Sequence, residues 1–141
     1  MEKMVSKKKK AKAAAAFAAV MAWDKNGRPK YLVVPGSNGK RYRVFLHRRE
    51  DGIHADCLID VPGELYCPGS AVKNNRATVC YHVMAAVEKA LSLSGYQGFW
   101  CFSEQDAVRL ARMKKGNIIK VFPGRYETVP GAYLVVERTA S

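Results

Sequence analysis

The chain has 141 residues, with 24 Lys and Arg against 12 Asp and Glu, for a formal net charge of +12. That length suits one domain, or one and a half, with a buried core; its 4 cysteines are too sparse for a disulfide-dense secreted scaffold. The excess of positive charge calls for an anionic partner, and nine of the bases but only two of the acids fall in the first thirty residues.

Residues 7–12, mostly lysine, and the apolar run over 13–23 copy the charged and apolar regions of a signal peptide. The run is largely alanine, lacks a small-x-small cleavage site before Asp24, and is shorter than the roughly 20 residues that span a bilayer. An intracellular protein is expected, neither secreted nor membrane-associated. Alanine is the strongest helix former, and Phe17, Val20 and Met21 recur at i, i+3 and i+4. This predicts an amphipathic helix over 7–23 that docks on the domain and ends at Asp24-Lys25-Asn26-Gly27. Lys7, Lys8, Lys9 and Lys10 are then either a solvated cationic end or a phosphate-binding arm.

A hairpin follows: Arg41–Arg49 reads as a strand, Glu50-Asp51-Gly52 as its turn, and residues 53–59 as the return. Strand alternation sets Tyr42, Val44 and Leu46 on one face and Arg41, Arg43, Phe45, His47 and Arg49 on the other. A basic face with a central aromatic suits nucleic acid, its cations on phosphates and its ring on a base; the alternative is that Phe45 packs on the N-terminal helix. The loop Lys73-Asn74-Asn75-Arg76 offers Lys73 and Arg76 as further donors.

Cys57 lies on the return strand. Nine intervening residues lead to Cys67, at a turn marked by Pro68-Gly69-Ser70, and twelve more to Cys80-Tyr81-His82. Val83, Ala86, Val87, Ala90 and Leu91 have helical spacing, so a helix begins close to His82. Positions i and i+2 of a helix point about 200° apart, so Cys80 is placed on the entering loop and His82 in the first turn. Three thiolates and an imidazole are a usual closed set for a structural zinc ion. One Zn2+ held by Cys57, Cys67, Cys80 and His82 is the expected cofactor. His54 is the other candidate for the first position, and a buried thiol beside Ile53, Ala55 and Ile59 is the other role for Cys57. Cys101, within the apolar run 99–102, is expected to be a buried thiol.

The arrangement resembles the SWIM zinc finger, whose pattern is Cys-x-Cys on a hairpin, a variable loop, then Cys-x-His leading into a helix. Cys67 and Cys80-Tyr81-His82 match its later part, and residues 33–44 look like the strand, turn and Tyr-x-Val strand that precede such fingers. Leu65 stands where the family has its first cysteine, so the resemblance is read with an insertion in the hairpin that moves this ligand to Cys57. It covers roughly residues 7–93 and implies a zinc-held hairpin and helix that bind DNA or protein.

Beyond Leu93, Ser94-Gly95 breaks the helix and residues 99–102 read as a strand. Ser103 caps a helix whose buried side is Ala107, Val108, Leu110, Ala111 and Met113, with Lys114-Lys115 at its end and Gly116 as the stop. Arg109 and Arg112 are solvated charges or phosphate contacts. Asn117–Phe122 and residues 133–138 then read as strands.

The expected class is α+β: a basic arm and Ala-rich helix over 1–30, a SWIM-like zinc-stabilised hairpin and helix over 31–94, and a small β-α-β-β unit over 95–141, packed as one body. No Walker-type loop or His-Glu-x-x-His is present, and His54-Ala55-Asp56-Cys57 lacks the glutamate of zinc deaminases, so no enzymatic activity and no small-molecule substrate are expected. The expected partner is nucleic acid, DNA ahead of RNA. The alternative is a zinc-stabilised adaptor for a protein partner.

Overall fold

The computed structural model describes residues 2–37 and 39–139. Met1, Asn38, Ala140 and Ser141, which fall in the expected arm, in the turn of the SWIM-like stretch and in the expected C-terminal unit, lie outside the described residues. The elements in chain order are α1 (Glu2–Ala16), β1 (Ala19–Trp23), β2 (Pro29–Pro35), β3 (Arg41–Arg49), β4 (Gly52–Ile59), β5 (Ala71–Lys73), β6 (Arg76–Thr78), α2 (Tyr81–Leu93), β7 (Tyr96–Cys101), α3 (Glu104–Lys114), β8 (Asn117–Phe122) and β9 (Ala132–Arg138). The class is mixed α+β, as expected. Seven strands form one sheet in the order β1-β2-β3-β4-β8-β9-β7, while β5 and β6 form a small hairpin of their own.

The hairpin of β3 and β4 is the centre of the sheet and its strands lie where expected, but the turn is only Glu50-Asp51, since Gly52 already pairs with Arg49. Val44 lies opposite Cys57 and Leu46 opposite Ala55. Tyr42, Val44 and Leu46 are buried, as are Leu32 and Val34 of β2, and this face is covered by α2 through Val83, Met84, Ala86 and Val87. The small Ala11 and Ala14 let α1 lie close against α2. Gly52, at φ +143°, starts β4 where a side chain would strike the Lys120 carbonyl of β8.

Three expectations are corrected. The N-terminal helix does not run over 7–23: it closes at Ala16, and Ala19–Trp23 pairs with β2 instead. Of the expected docking residues, Phe17 and Met21 are 78% and 56% exposed, while Val20 packs against the core from β1. Alanine propensity is worth only fractions of a kcal/mol per residue, roughly 0.5, and a strand ladder beside β2 outweighs it. The C-terminal strands occur where expected, but β8, β9 and β7 extend the same sheet, β8 lying parallel to β4 at Ile53 and His54. Val108 and Met113 are exposed at 36% and 76% because α3 rests on the sheet through Ala107, with Leu110 and Ala111 beside it, against Cys101 and Val135.

The capping of α3 is as the sequence predicts at its start, with the Ser103 hydroxyl accepting from the Asp106 N–H at 3.2 Å. At its end the left-handed residue is Lys115, not Gly116. Gly116 is required for another reason, since a Cβ there would lie 2.7 Å from the Val136 carbonyl oxygen. The expected loop at 73–76 is the turn of the β5–β6 hairpin, with Asn74 and Asn75 at φ 52° and 62°, the left-handed pair that a tight hairpin turn needs. Among the described residues no helix is long and apolar enough to cross a membrane.

Candidate metal centre

β4 meets β8 only at Ile53 and His54, which leaves the rest of that edge open. Residues 65–67 occupy it. Ile59 donates its N–H to the Leu65 carbonyl at 2.8 Å, Leu58 pairs with Tyr66, and Cys67 donates to the Cys57 carbonyl at 2.9 Å. Cys57 and Cys67 therefore face each other across a short ladder, joined by a fold-back through Pro62 and Gly63. Cys80 is the N-cap of α2 in extended conformation and His82 stands in the first turn, as the helical spacing requires.

A second turn ties the two ends of the site together. The Cys80 N–H donates to Ser70 Oγ at 2.9 Å, and the Ser70 N–H donates to the Cys67 carbonyl at 3.2 Å. A side chain at Gly69 would lie 2.9 Å from Cys80 Cβ, so this turn tolerates only glycine without rearrangement. His82 is held between two rings, Tyr42 and Tyr81, whose centroids lie 3.5 and 4.1 Å from its own. The Tyr81 hydroxyl in turn accepts from the Ser37 N–H at 2.8 Å.

Cys57, Cys67, Cys80 and His82 are all buried, and their ligand atoms all lie within 4.8 Å of one another. Zinc bonds of about 2.3 Å to sulfur and 2.0–2.1 Å to nitrogen in a tetrahedron imply a sulfur to nitrogen separation of about 3.6 Å. His82 Nδ1 and Cys67 Sγ are 3.7 Å apart. The four residues could hold one metal ion, and a thiolate-rich set with one imidazole suits zinc. His54 is not among them. Its ring stacks on Phe122 and its nitrogens face Asp51 Oδ1 at 2.8 Å and the Gly124 carbonyl at 3.2 Å.

The thiols share their protons unequally. Donation from Cys57 and then Cys80 holds Cys67 well below the ordinary thiol range, with His82 and the Gly69 N–H adding to the effect against burial. Bonding to Cys67 and Cys80, with burial, pushes Cys57 up. Burial pushes Cys80 up to about 11. A metal ion binds thiolates, so coordination of a divalent cation by all three sulfurs would release protons. Burial lowers the Lys7 ammonium, while the charges of Cys80 and Cys67 draw it back up. A cation on α1 consequently sits within electrostatic reach of the thiolates.

The structure divides the expected nucleic-acid residues. Lys8, Lys9, Lys10, Arg41, Lys73 and Arg76 are exposed, whereas Lys7 is half-buried. Arg41 and Arg43 both pair with Asp60, at 3.3 and 3.7 Å, and Phe45 stacks on Tyr31 with 4.5 Å between centroids. Phe45 therefore does not pack on the N-terminal helix. Arg49, at the opposite end of β3 from Arg41, donates to the Arg125 carbonyl at 2.6 Å. Sequence reasoning missed Tyr42, Ser70 and Lys7 as supports of the centre, for which only the Gly-Ser after Cys67 gave a local signal. It also missed Asp56, which is buried and joins His47 and Arg125 at 3.2 Å each. No protein-family model matches the chain, and no curated protein or solved structure matches it.

Proposed function

We propose that this chain is a SWIM-like zinc module that binds nucleic acid, DNA ahead of RNA, and works by binding rather than by catalysis. The buried Cys3His cluster carries the reading. Four protein ligands complete a tetrahedron and leave no open position for a substrate, which is the pattern of a structural site. The cations of the expected interface also gather at that end of the molecule. Lys10 lies over the Tyr81 ring at 5.9 Å, Lys73 and Arg76 sit on the hairpin between Cys67 and Cys80, and Arg41 precedes the Tyr42 that stacks on His82. The contact surface is thus centred on α1 and the β5–β6 hairpin, with Arg41 and Arg43 at its margin and Arg49 outside it.

The test is fluorescence anisotropy with a labelled DNA duplex, and with RNA of the same sequence, over a range of salt. Affinity should fall linearly in log salt with a slope near −0.9 for each phosphate neutralised on duplex DNA. Charge reversal at Lys9 and Arg76 should reduce that slope without unfolding the protein. Absence of binding at low salt overturns the nucleic-acid reading and leaves the metal centre to be judged on its own.

A further inference from the structure

The sheet has two open edges, and they differ. β1 is broken by two register shifts in its pairing with β2, between Val20 and Ala22 and between Ala22 and Trp23. β7 pairs with β9 through six successive residues without a break, from Tyr96 opposite Arg138 to Cys101 opposite Tyr133. Exposed edges are ordinarily blunted by lysine, proline or a bulge. Tyr96-Gln97-Gly98-Phe99-Trp100-Cys101 has none of these.

A groove of about 640 Å3 runs along this edge, between α1 and α2 on one side and Leu110 of α3 on the other. Trp100, only 5% exposed, and Glu88 both line it, with the Glu88 carboxyl buried beside the Trp100 indole. Lys8, Lys12 and Lys89 line the groove, against Glu88 as its acid. On the α3 side, the Lys114 ammonium stands 4.0 Å from the centre of the Phe99 ring.

We propose that the open edge of β7 docks an extended, acidic peptide strand of a partner protein. Strand addition satisfies the edge's main-chain groups by ladder hydrogen bonds, and side chains at alternate positions supply specificity. The acidic side chains of the added strand meet Lys8, Lys12 and Lys89. A second copy of this chain is the poorer occupant, because it would bring two sets of lysines together. The site is separate from the metal centre, and it shares Lys8 of α1 with the proposed nucleic-acid surface.

The experiment uses the full chain and a synthetic peptide of about ten residues that alternates glutamate with valine or threonine, as strand addition requires. Its control has the same charge but proline at three of the alternate positions, which removes ladder donors. Calorimetric titration should show the first peptide binding at least about tenfold more tightly than the second, and Lys12→Glu with Lys89→Glu should weaken it by a similar factor. Hydrogen exchange should show new protection within Tyr96–Cys101. Equal binding of the two peptides, binding of neither, or protection confined to other strands would each overturn the proposal.

Discussion

The Tyr42 ring lies on the His82 imidazole with 3.5 Å between centroids and 15° between planes. One residue comes from the buried face of β3 and the other from the first turn of α2, so the stack fixes the ring plane that directs Nδ1 toward Cys67. Outer supports of this kind typically carry ten- to a hundredfold in metal affinity. Tyr42→Ala should weaken zinc binding about tenfold or more, while Tyr42→Phe, which keeps the stack, should stay close to wild type. Competition with a chromophoric chelator measures both.

Ligand loss should behave differently from loss of a nearby thiol. Structural zinc contributes on the order of 10 kcal/mol of apparent binding energy, so Cys80→Ser or His82→Ala should empty the site and unfold at least β4 through α2. Cys101→Ser lies in the separate cluster with Ala107 and Val135 and should keep its full metal content. Circular dichroism beside elemental analysis distinguishes the two classes.

Lys7 tests the electrostatics of the cluster. Three thiolates and a divalent cation leave one net negative charge, and the Cys80 and Cys67 charges act on the Lys7 ammonium, which burial would otherwise depress. Lys7→Glu should accelerate zinc transfer to a chelator by about tenfold, whereas Lys9→Glu, on an exposed position of the same helix, should change it little. Stopped-flow absorbance of the chelator reads the rates.

Glu88 makes stability depend on pH. Burial pushes its carboxyl up to about 7 from the usual 4.5, against the Trp100 indole and the Lys12 charge, which pull it down. The folded chain therefore favours the protonated acid. That preference is fully stabilising below the unfolded pKa and is lost as pH rises through about 7. Glu88→Gln should raise the melting temperature by a few degrees at about pH 8, and the gain should shrink towards pH 5. Thermal melts with zinc in excess give the comparison.

Local chemistry made much of this molecule legible in the sequence. The β3–β4 hairpin, the start of α2 at the Cys-x-His element and the Ser103 cap each depend on a few neighbouring residues, and the three cysteines and histidine announce a common ligand. Pairing across distance did not show. Nothing near Ala19 reveals that β2 will claim it from an alanine helix, nor does residue 117 reveal that β8 will join β4. The basic face of β3 was legible as a pattern, but its partners Asp60, Asp56 and Tyr31 are set by register. The position of Cys57 opposite Cys67 likewise follows from an open sheet edge, which spacing alone does not encode.

Elemental analysis of the purified full chain, never exposed to added metal or chelator and run beside Cys57→Ser, tests the central claim most directly. The account predicts one zinc ion per wild-type chain and a marked loss in the variant. Wild-type protein that is folded yet free of zinc, or whose content is unchanged by Cys57→Ser, would contradict it.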